Sequence, residues 1–265
     1  MKGILLAILV VGATGCIIGF FLTYAAKKFY VHVDERETKI LGVLPGNNCG
    51  GCGYAGCPSL AKAICEGKAP VNQCPVGGAD VASQIAEIMG VSGVDSVREV
   101  AYVHCAGTCE KAKNLYEYHG SSDCLAVKMT PGGGPKVCNY GCLGEGSCVQ
   151  ACEFDAIHIV DGIAKVDKEA CKACGKCISV CPQKLISLIP YDSHCEVTCS
   201  SHDKGKAVMS ACDTGCIACH LCEKNCPNEA ITVIDNVAII DHSKCDGCMT
   251  CVSKCPKHVI FPLEK

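Results

Sequence analysis

The 265-residue chain carries 28 cysteines, no tryptophan, 5% aromatic residues and a formal charge of −3. A thiol at about one position in ten excludes an ordinary globular enzyme, and the length excludes the short secreted domains that disulfides hold together. With 24 basic residues against 27 acidic ones, nothing points to nucleic acid as a partner.

The first predicted element is a helix. No charged residue stands between Lys2 and Lys27, and the apolar run Ile4 to Tyr24 is long enough to cross about 30 Å of hydrocarbon. Residues 1–28 therefore read as a single transmembrane anchor. A cleaved signal peptide has a shorter apolar stretch, and Ala13-Thr14-Gly15-Cys16 faintly resembles a lipoprotein cleavage site. The run continues well past Cys16, so cleavage there would cut it in half, and the uncleaved anchor is the expectation. Lys27, Lys28, Arg36 and Lys39 follow the helix whereas Lys2 alone precedes it, which places the rest of the chain on the cytoplasmic side of the cell membrane as a single-pass protein. Gly12, Gly15 and Gly19 fall near one helical face, a small-xxx-small pattern that suits a second membrane helix, although glycine is common in such helices in any case.

Residues 33–92 form the next unit. Cys49, Cys52, Cys57 and Cys74 are spaced Cys-x-x-Cys-x4-Cys-x16-Cys within a glycine-rich stretch, which lets backbone amides approach cluster sulfurs. A helix is expected to begin at Cys57-Pro58, with proline in its first turn. Zinc would also satisfy an isolated set of four cysteines, but beside the motifs that follow the set reads as a [4Fe–4S] site. Residues 93–135 are expected to connect this domain to the remainder, with a helix around Gln84–Met89 leading in, a strand around Val97–Ala101 and a loop at Gly132-Gly133-Gly134-Pro135.

Cytoplasmic thiols stay reduced, so the cysteines beyond this point read as metal ligands. Cys171-x-x-Cys174-x-x-Cys177-x3-Cys181-Pro182, Cys216-x-x-Cys219-x-x-Cys222-x3-Cys226-Pro227 and Cys245-x-x-Cys248-x-x-Cys251-x3-Cys255-Pro256 are three copies of the bacterial ferredoxin run. In that run three close thiolates hold one cube and the fourth ligates its neighbour. A shift of 74 positions carries Cys138, Cys142, Cys148 and Cys152 onto Cys212, Cys216, Cys222 and Cys226, and Cys171 onto Cys245. Two ferredoxin modules are thus expected, at 136–190 and 212–265 with 191–211 between them, each with a hairpin turning at Asp161-Gly162 or Asp235-Asn236.

Crossed ligation gives Cys216, Cys219, Cys222 and Cys255 for one site of the second module and Cys226, Cys245, Cys248 and Cys251 for the other. In the first module Cys152, Cys171, Cys174 and Cys177 form one set, but Glu145 stands where Cys219 stands in the repeat. Cys138 is expected to substitute, completing a set with Cys142, Cys148 and Cys181. A degenerate, empty site is the alternative. Five [4Fe–4S] clusters follow. Cys16, Cys65, Cys105, Cys109, Cys124, Cys195, Cys199 and Cys212 are left over, enough thiols for a sixth cluster or simply for packing; Val103-His104-Cys105 and Val197-Thr198-Cys199 share a strand-like Val-x-Cys pattern.

With its apolar N-terminus, the segment Leu44-Pro45-Gly46-Asn47-Asn48-Cys49-Gly50-Gly51-Cys52-Gly53-Tyr54-Ala55-Gly56-Cys57 and the ferredoxin repeats behind it, the chain resembles the B subunits of the Rnf complexes over its whole length. These are membrane-bound ferredoxin:NAD oxidoreductases that couple electron transfer to sodium or proton export. The resemblance implies an α+β chain of small modules behind one membrane helix, working as the electron-relay subunit of a translocase. It implies soluble reduced ferredoxin as electron donor and the other membrane subunits of the complex as partners. No nucleophile, general base, dinucleotide fingerprint or phosphate loop is visible, so bond-making chemistry is expected elsewhere. A membrane-tethered polyferredoxin serving another reductase or hydrogenase is the competing reading.

Overall fold

The computed structural model describes residues 2–29, 34–92 and 97–263. Helix α1 runs from Lys2 to Lys28, a length of about 40 Å at 1.5 Å per residue. Side chains at 2, 4–8, 10, 11 and 26 lie outside the described residues, and with them much of the apolar segment expected to span a membrane. Among the described residues no helix is long and apolar enough to cross one.

Three helices build the next unit. Asp34 caps α2 (Glu35–Val43) by accepting from the Arg36 amide, Pro58 opens α3 (Cys57–Cys65), and α4 (Gly78–Met89) stops at Gly90, whose φ of 66° suits glycine. Ile40, Leu60, Ile64 and Ile85, all but fully buried, interlock at their centre.

The two modules follow, each made of two small antiparallel pairs. In the first, β1 (Glu99–Val103) pairs with β4 (Ile186–Pro190), and between them lies the hairpin of β2 (Ile157–Val160) and β3 (Ile163–Val166). In the second, β5 (Cys195–Val197) pairs with β8 (Ile260–Pro262) around the hairpin of β6 (Ile231–Ile234) and β7 (Val237–Ile240). Both hairpins turn where the sequence places them: Asp161 and Gly162 have φ of 53° and 74°, Asp235 and Asn236 47° and 67°, the paired positive angles of a tight hairpin turn. The segments 93–135 and 191–211, read from sequence as connectors, carry the strands β1 and β5 that close the modules. The strand expected around Val97–Ala101 is found two residues further on, and β1 and β5 are held by partners about 63 to 91 residues away, a pairing that no local pattern shows.

Short helices fill the corners: α5 (Cys124–Lys128), α6 (Ser147–Gln150), α7 (Lys176–Val180), α8 (Gly205–Ala211), α9 (Leu221–Lys224) and α10 (Thr250–Lys254). The module cores combine a few aliphatic side chains with thiols. Val100, Ile157, Ile163, Leu185 and Ile186 pack with Cys142, Cys148, Cys171 and Cys177, while Val197, Ile231, Val237 and Val259 pack with Cys216, Cys222, Cys251 and Cys255. Two-stranded pairs of this size are marginal alone; the thiols at their centre are where a metal cluster adds the missing stability.

Candidate metal centres

Each ferredoxin run folds the same way. The loop carrying the first two cysteines turns through residues of positive φ, Ala173 and Gly175 in one run, Ala218 and His220 in the next, Gly247 and Met249 in the third, and a single helical turn then presents the third cysteine. This tight winding aims three thiols inward. The fourth, after the helical turn, is delivered to the neighbouring site.

The second module brings its two sets together as spacing predicts. Cys216, Cys219, Cys222 and Cys255 line one cavity, walled by Ala238, Val259 and Ile260. Cys226, Cys245, Cys248 and Cys251 line another. Cys195 also reaches this second cavity, with its Sγ 3.8 Å from that of Cys251. Cys195 is the counterpart of Ala101, since β5 and β1 occupy the same place in the two modules.

In the first module the electrostatic neighbours of the Cys177 thiol are Cys171, Cys174 and Cys152, the expected set. The companion site differs from expectation. Cys142, Cys148 and Cys181 line a cavity with Cys124 and not with Cys138. Asp123 caps α5 and also accepts from the Ser147 hydroxyl, which in turn accepts from the Cys124 amide at 2.8 Å, so the start of α5 is pinned beside the loop that carries Cys148. The chain between Cys105 and Cys138 is 20 residues longer than that between the corresponding Cys199 and Cys212, and Cys124 lies on this insertion. The length difference was the signal available in the sequence; Cys124 lies too far from its set for spacing to reveal it.

Cys138 instead lines a cavity between the modules, with Cys105, Cys199 and Cys212. The empty space in this cavity is about 460 Å³, against about 350, 350 and 340 Å³ in the three module cavities.

In the first domain, burial pushes the Cys74 thiol up and the nearby Cys52 and Cys57 push the same way. Asn48 Oδ1 accepts from the Cys57 amide at 2.9 Å, and Gln73 Nε2 donates to the Cys52 carbonyl at 3.0 Å, which ties the glycine-rich loop to the segment bearing Cys74. Cys49 lies on the same loop, facing Cys174 of the first module, whose thiol it influences. The loop approaches so closely that a Cβ built on Gly51 would stand 2.6 Å from the Cys174 carbonyl oxygen.

The donor chemistry fits iron–sulfur clusters. The thiols stand in sets around cavities, as the corners of a polynuclear cluster require. Backbone amides point at the sulfurs: Ala164 N–H at Cys142, Ala156 N–H at Cys152, Ala101 N–H at Cys171, Ala230 N–H at Cys226 and Val259 N–H at Cys255, at 3.3–3.4 Å. Such bonds stabilise thiolate and cluster charge. Burial pushes the thiols of Cys177 and Cys222 up to about 11 and that of Cys148 up to about 12, so iron uptake at these positions must displace protons.

Comparison with known proteins agrees with this chemistry. An Fe-S cluster family matches residues 44–76, the 4Fe-4S binding domain residues 164–187 and the 4Fe-4S dicluster domain residues 215–260. The B subunit of the Na(+)-translocating ferredoxin:NAD(+) oxidoreductase complex of Acetobacterium woodii is 47% identical over 98% of this chain and 78% of its own length. The B subunit of the ion-translocating oxidoreductase complex of Methanosarcina acetivorans is 42% identical over 96% of both chains. Its counterpart in the proton-translocating ferredoxin:NAD(+) oxidoreductase complex of Clostridium ljungdahlii is 41% identical over 98% of this chain and 93% of its own. With that identity along nearly its whole length, the chain belongs to the family of B subunits of the ion-translocating oxidoreductase (Rnf) complexes.

Proposed function

We propose that this chain is the iron–sulfur electron-relay subunit of a membrane complex that passes electrons from reduced ferredoxin toward NAD with coupled sodium or proton transport. The observation that carries the reading is the succession of thiol sets from one domain to the next. The Gly51 loop of the first domain abuts Cys174 of the first module, and crossed ligation joins the two sets within each module. A [4Fe–4S] cluster supplies reversible one-electron transfer when bound. The chain's part is to hold the thiols at fixed corners, direct amides at the sulfurs and wall the sites with aliphatic side chains.

The ligand assignment is Cys49, Cys52, Cys57 and Cys74; Cys152, Cys171, Cys174 and Cys177; Cys124, Cys142, Cys148 and Cys181; Cys216, Cys219, Cys222 and Cys255; and Cys226, Cys245, Cys248 and Cys251. Cys219 and Cys248 are exposed, so the far module offers its thiol sets at the surface, where soluble ferredoxin has access. The opposite end of the chain is the anchor. Ile17, Ile18, Phe20, Phe21 and Leu22 of α1 are each more than half exposed, an apolar surface that suits lipid or neighbouring membrane subunits. Lys27 and Lys28 close its last turn and favour the cytoplasmic side for the cluster domains.

Anaerobic purification in detergent tests the reading. A brown preparation that shows reduced [4Fe–4S] resonances after incubation with reduced ferredoxin, and that co-purifies with several polytopic subunits, is expected. A colourless preparation refutes the relay. Clusters reduced by ferredoxin in a chain that co-purifies with a soluble reductase or hydrogenase instead point to a tethered polyferredoxin.

A further inference from the structure

Four cysteines that belong to neither ferredoxin pattern meet between the modules, and the way they meet follows the internal duplication. Cys138 and Cys212 are counterparts under the 74-residue shift. Cys105 and Cys199 are counterparts as well, because each follows the strand that pairs with the last strand of its module: His104 N–H donates to Leu185 O and Thr198 N–H to Val259 O, both at 2.8 Å, and 185 and 259 are again 74 apart. Each repeat therefore contributes one thiol from the turn after its first strand and one from four positions before its first ferredoxin run. The contacts that join the modules run both ways: Ala106 N–H donates to Thr198 O at 3.0 Å, and Ser200 Oγ donates to His104 O at 3.1 Å, an exchange between counterpart residues. The four thiols line one cavity at this contact.

The surroundings of the sulfurs match those at the regular sites. Cys105 Sγ accepts from the Gly107 and Cys142 amides at 3.4 and 3.3 Å, and Cys199 Sγ accepts from the Ser201 and Cys216 amides at 3.5 and 3.3 Å, residue for residue the same arrangement. Gly107 borders both repeats' thiols, a Cβ built on it standing 3.6 Å from Cys105 Sγ and from Cys212 Sγ. The cavity has at least as much space as those lined by the ferredoxin runs. Four thiols around such a space, with amide donors at two of them, satisfy the donor count of a cubane.

We infer that Cys105, Cys138, Cys199 and Cys212 hold a sixth [4Fe–4S] cluster at the junction of the two modules. The inference rests on the relay reading and deepens it. The junction site touches a ligand of each module, through the Cys142 and Cys216 amides, and so fills the gap between the two pairs of sites. Each repeat alone supplies only half of it, so the site exists only because the module is duplicated within one chain.

Iron and acid-labile sulfide counting on the anaerobically purified full chain tests the inference. At four of each per cubane, wild type is expected to hold about 24 irons, and a Cys138→Ala or Cys212→Ala variant about 20, or about 23 with a new three-iron resonance where three thiolates retain a three-iron cluster. Replacing all four junction cysteines removes the site outright and is expected to leave about 20. Cys109→Ala is the control, its thiol being exposed and outside the cavity. About 20 irons in wild type, or variants with wild-type iron, would overturn the inference while leaving intact the relay reading, which fails only if the reduced wild-type protein lacks [4Fe–4S] resonances. The wild-type count decides the matter even if a variant does not fold.

Discussion

Cys124→Ala tests the most specific departure of this chain from a regular pair of ferredoxin modules. The thiol is 8% exposed and shares its cavity with Cys142, Cys148 and Cys181, so its removal leaves three corners for four irons. Loss of one sulfur from a buried position costs about 1–2 kcal/mol in packing, too little to unfold a module, so the visible effect is on the metal. Iron per chain is expected to fall by about 4, or by about 1 if a three-iron cluster survives on the three remaining thiolates. Glu145 occupies the position that Cys219 holds in the repeat, so Glu145→Cys in the Cys124→Ala background restores the regular run and is expected to recover the lost iron. The assay is anaerobic iron and sulfide analysis with electron paramagnetic resonance of the dithionite-reduced protein. Full iron in Cys124→Ala, or failure of Glu145→Cys to recover what was lost in a protein that is otherwise folded, would refute the assignment of Cys124 to this site.

Three further perturbations address other links. Gly51→Ala sets a methyl group 2.6 Å from the Cys174 carbonyl oxygen, an overlap that costs about 1–3 kcal/mol; iron content is expected to stay at the wild-type level while magnetic broadening between the first-domain and first-module signals diminishes in the fully reduced protein. Glu196, only 4% exposed, accepts from the Val197 amide at 2.8 Å and meets His242 Nε2 at 2.7 Å. Glu196→Ala strands both partners and is expected to cost about 2–4 kcal/mol, read as a fall of several degrees in the anaerobic unfolding midpoint of the holoprotein. Lys136 is buried at the junction cavity with its Nζ on the Gly107 and Gly162 carbonyls at 2.8 and 3.2 Å. Lys136→Met removes a positive charge that lies beside the four thiols and also acts on Cys142, so redox titration should show the junction potential and that of the Cys142 site moving negative, by on the order of tens of millivolts, while those of the second module and the first domain stay in place.

Much of the chemistry is local and was therefore legible. A Cys-x-x-Cys-x-x-Cys turn can only wrap its thiols around a common centre, because the backbone that joins them is a few residues long. The same holds for the hairpins, whose Asp-Gly and Asp-Asn turns dictate their own geometry, and for α3, which starts at its proline. The duplication was visible as well, since counterpart cysteines keep a constant separation.

What only the tertiary structure decided are the places where a set is completed from a distance. Cys124 and Cys138 both precede the first run, and nothing in their spacing says which one turns back to Cys142 and Cys148; the choice lies in α5, pinned by Asp123 and Ser147 on an insertion that the second module lacks. A strand near β1 was expected, but that β1 and β5 pair with β4 and β8 across the length of a module was not. Cys105 and Cys199 were a repeated pattern without a partner until those pairings set them, with Cys138 and Cys212, around one cavity. Short spacings are enforced by the covalent chain, whereas a site assembled from four distant segments depends on how two modules dock, and docking is a property of surfaces that no local pattern encodes.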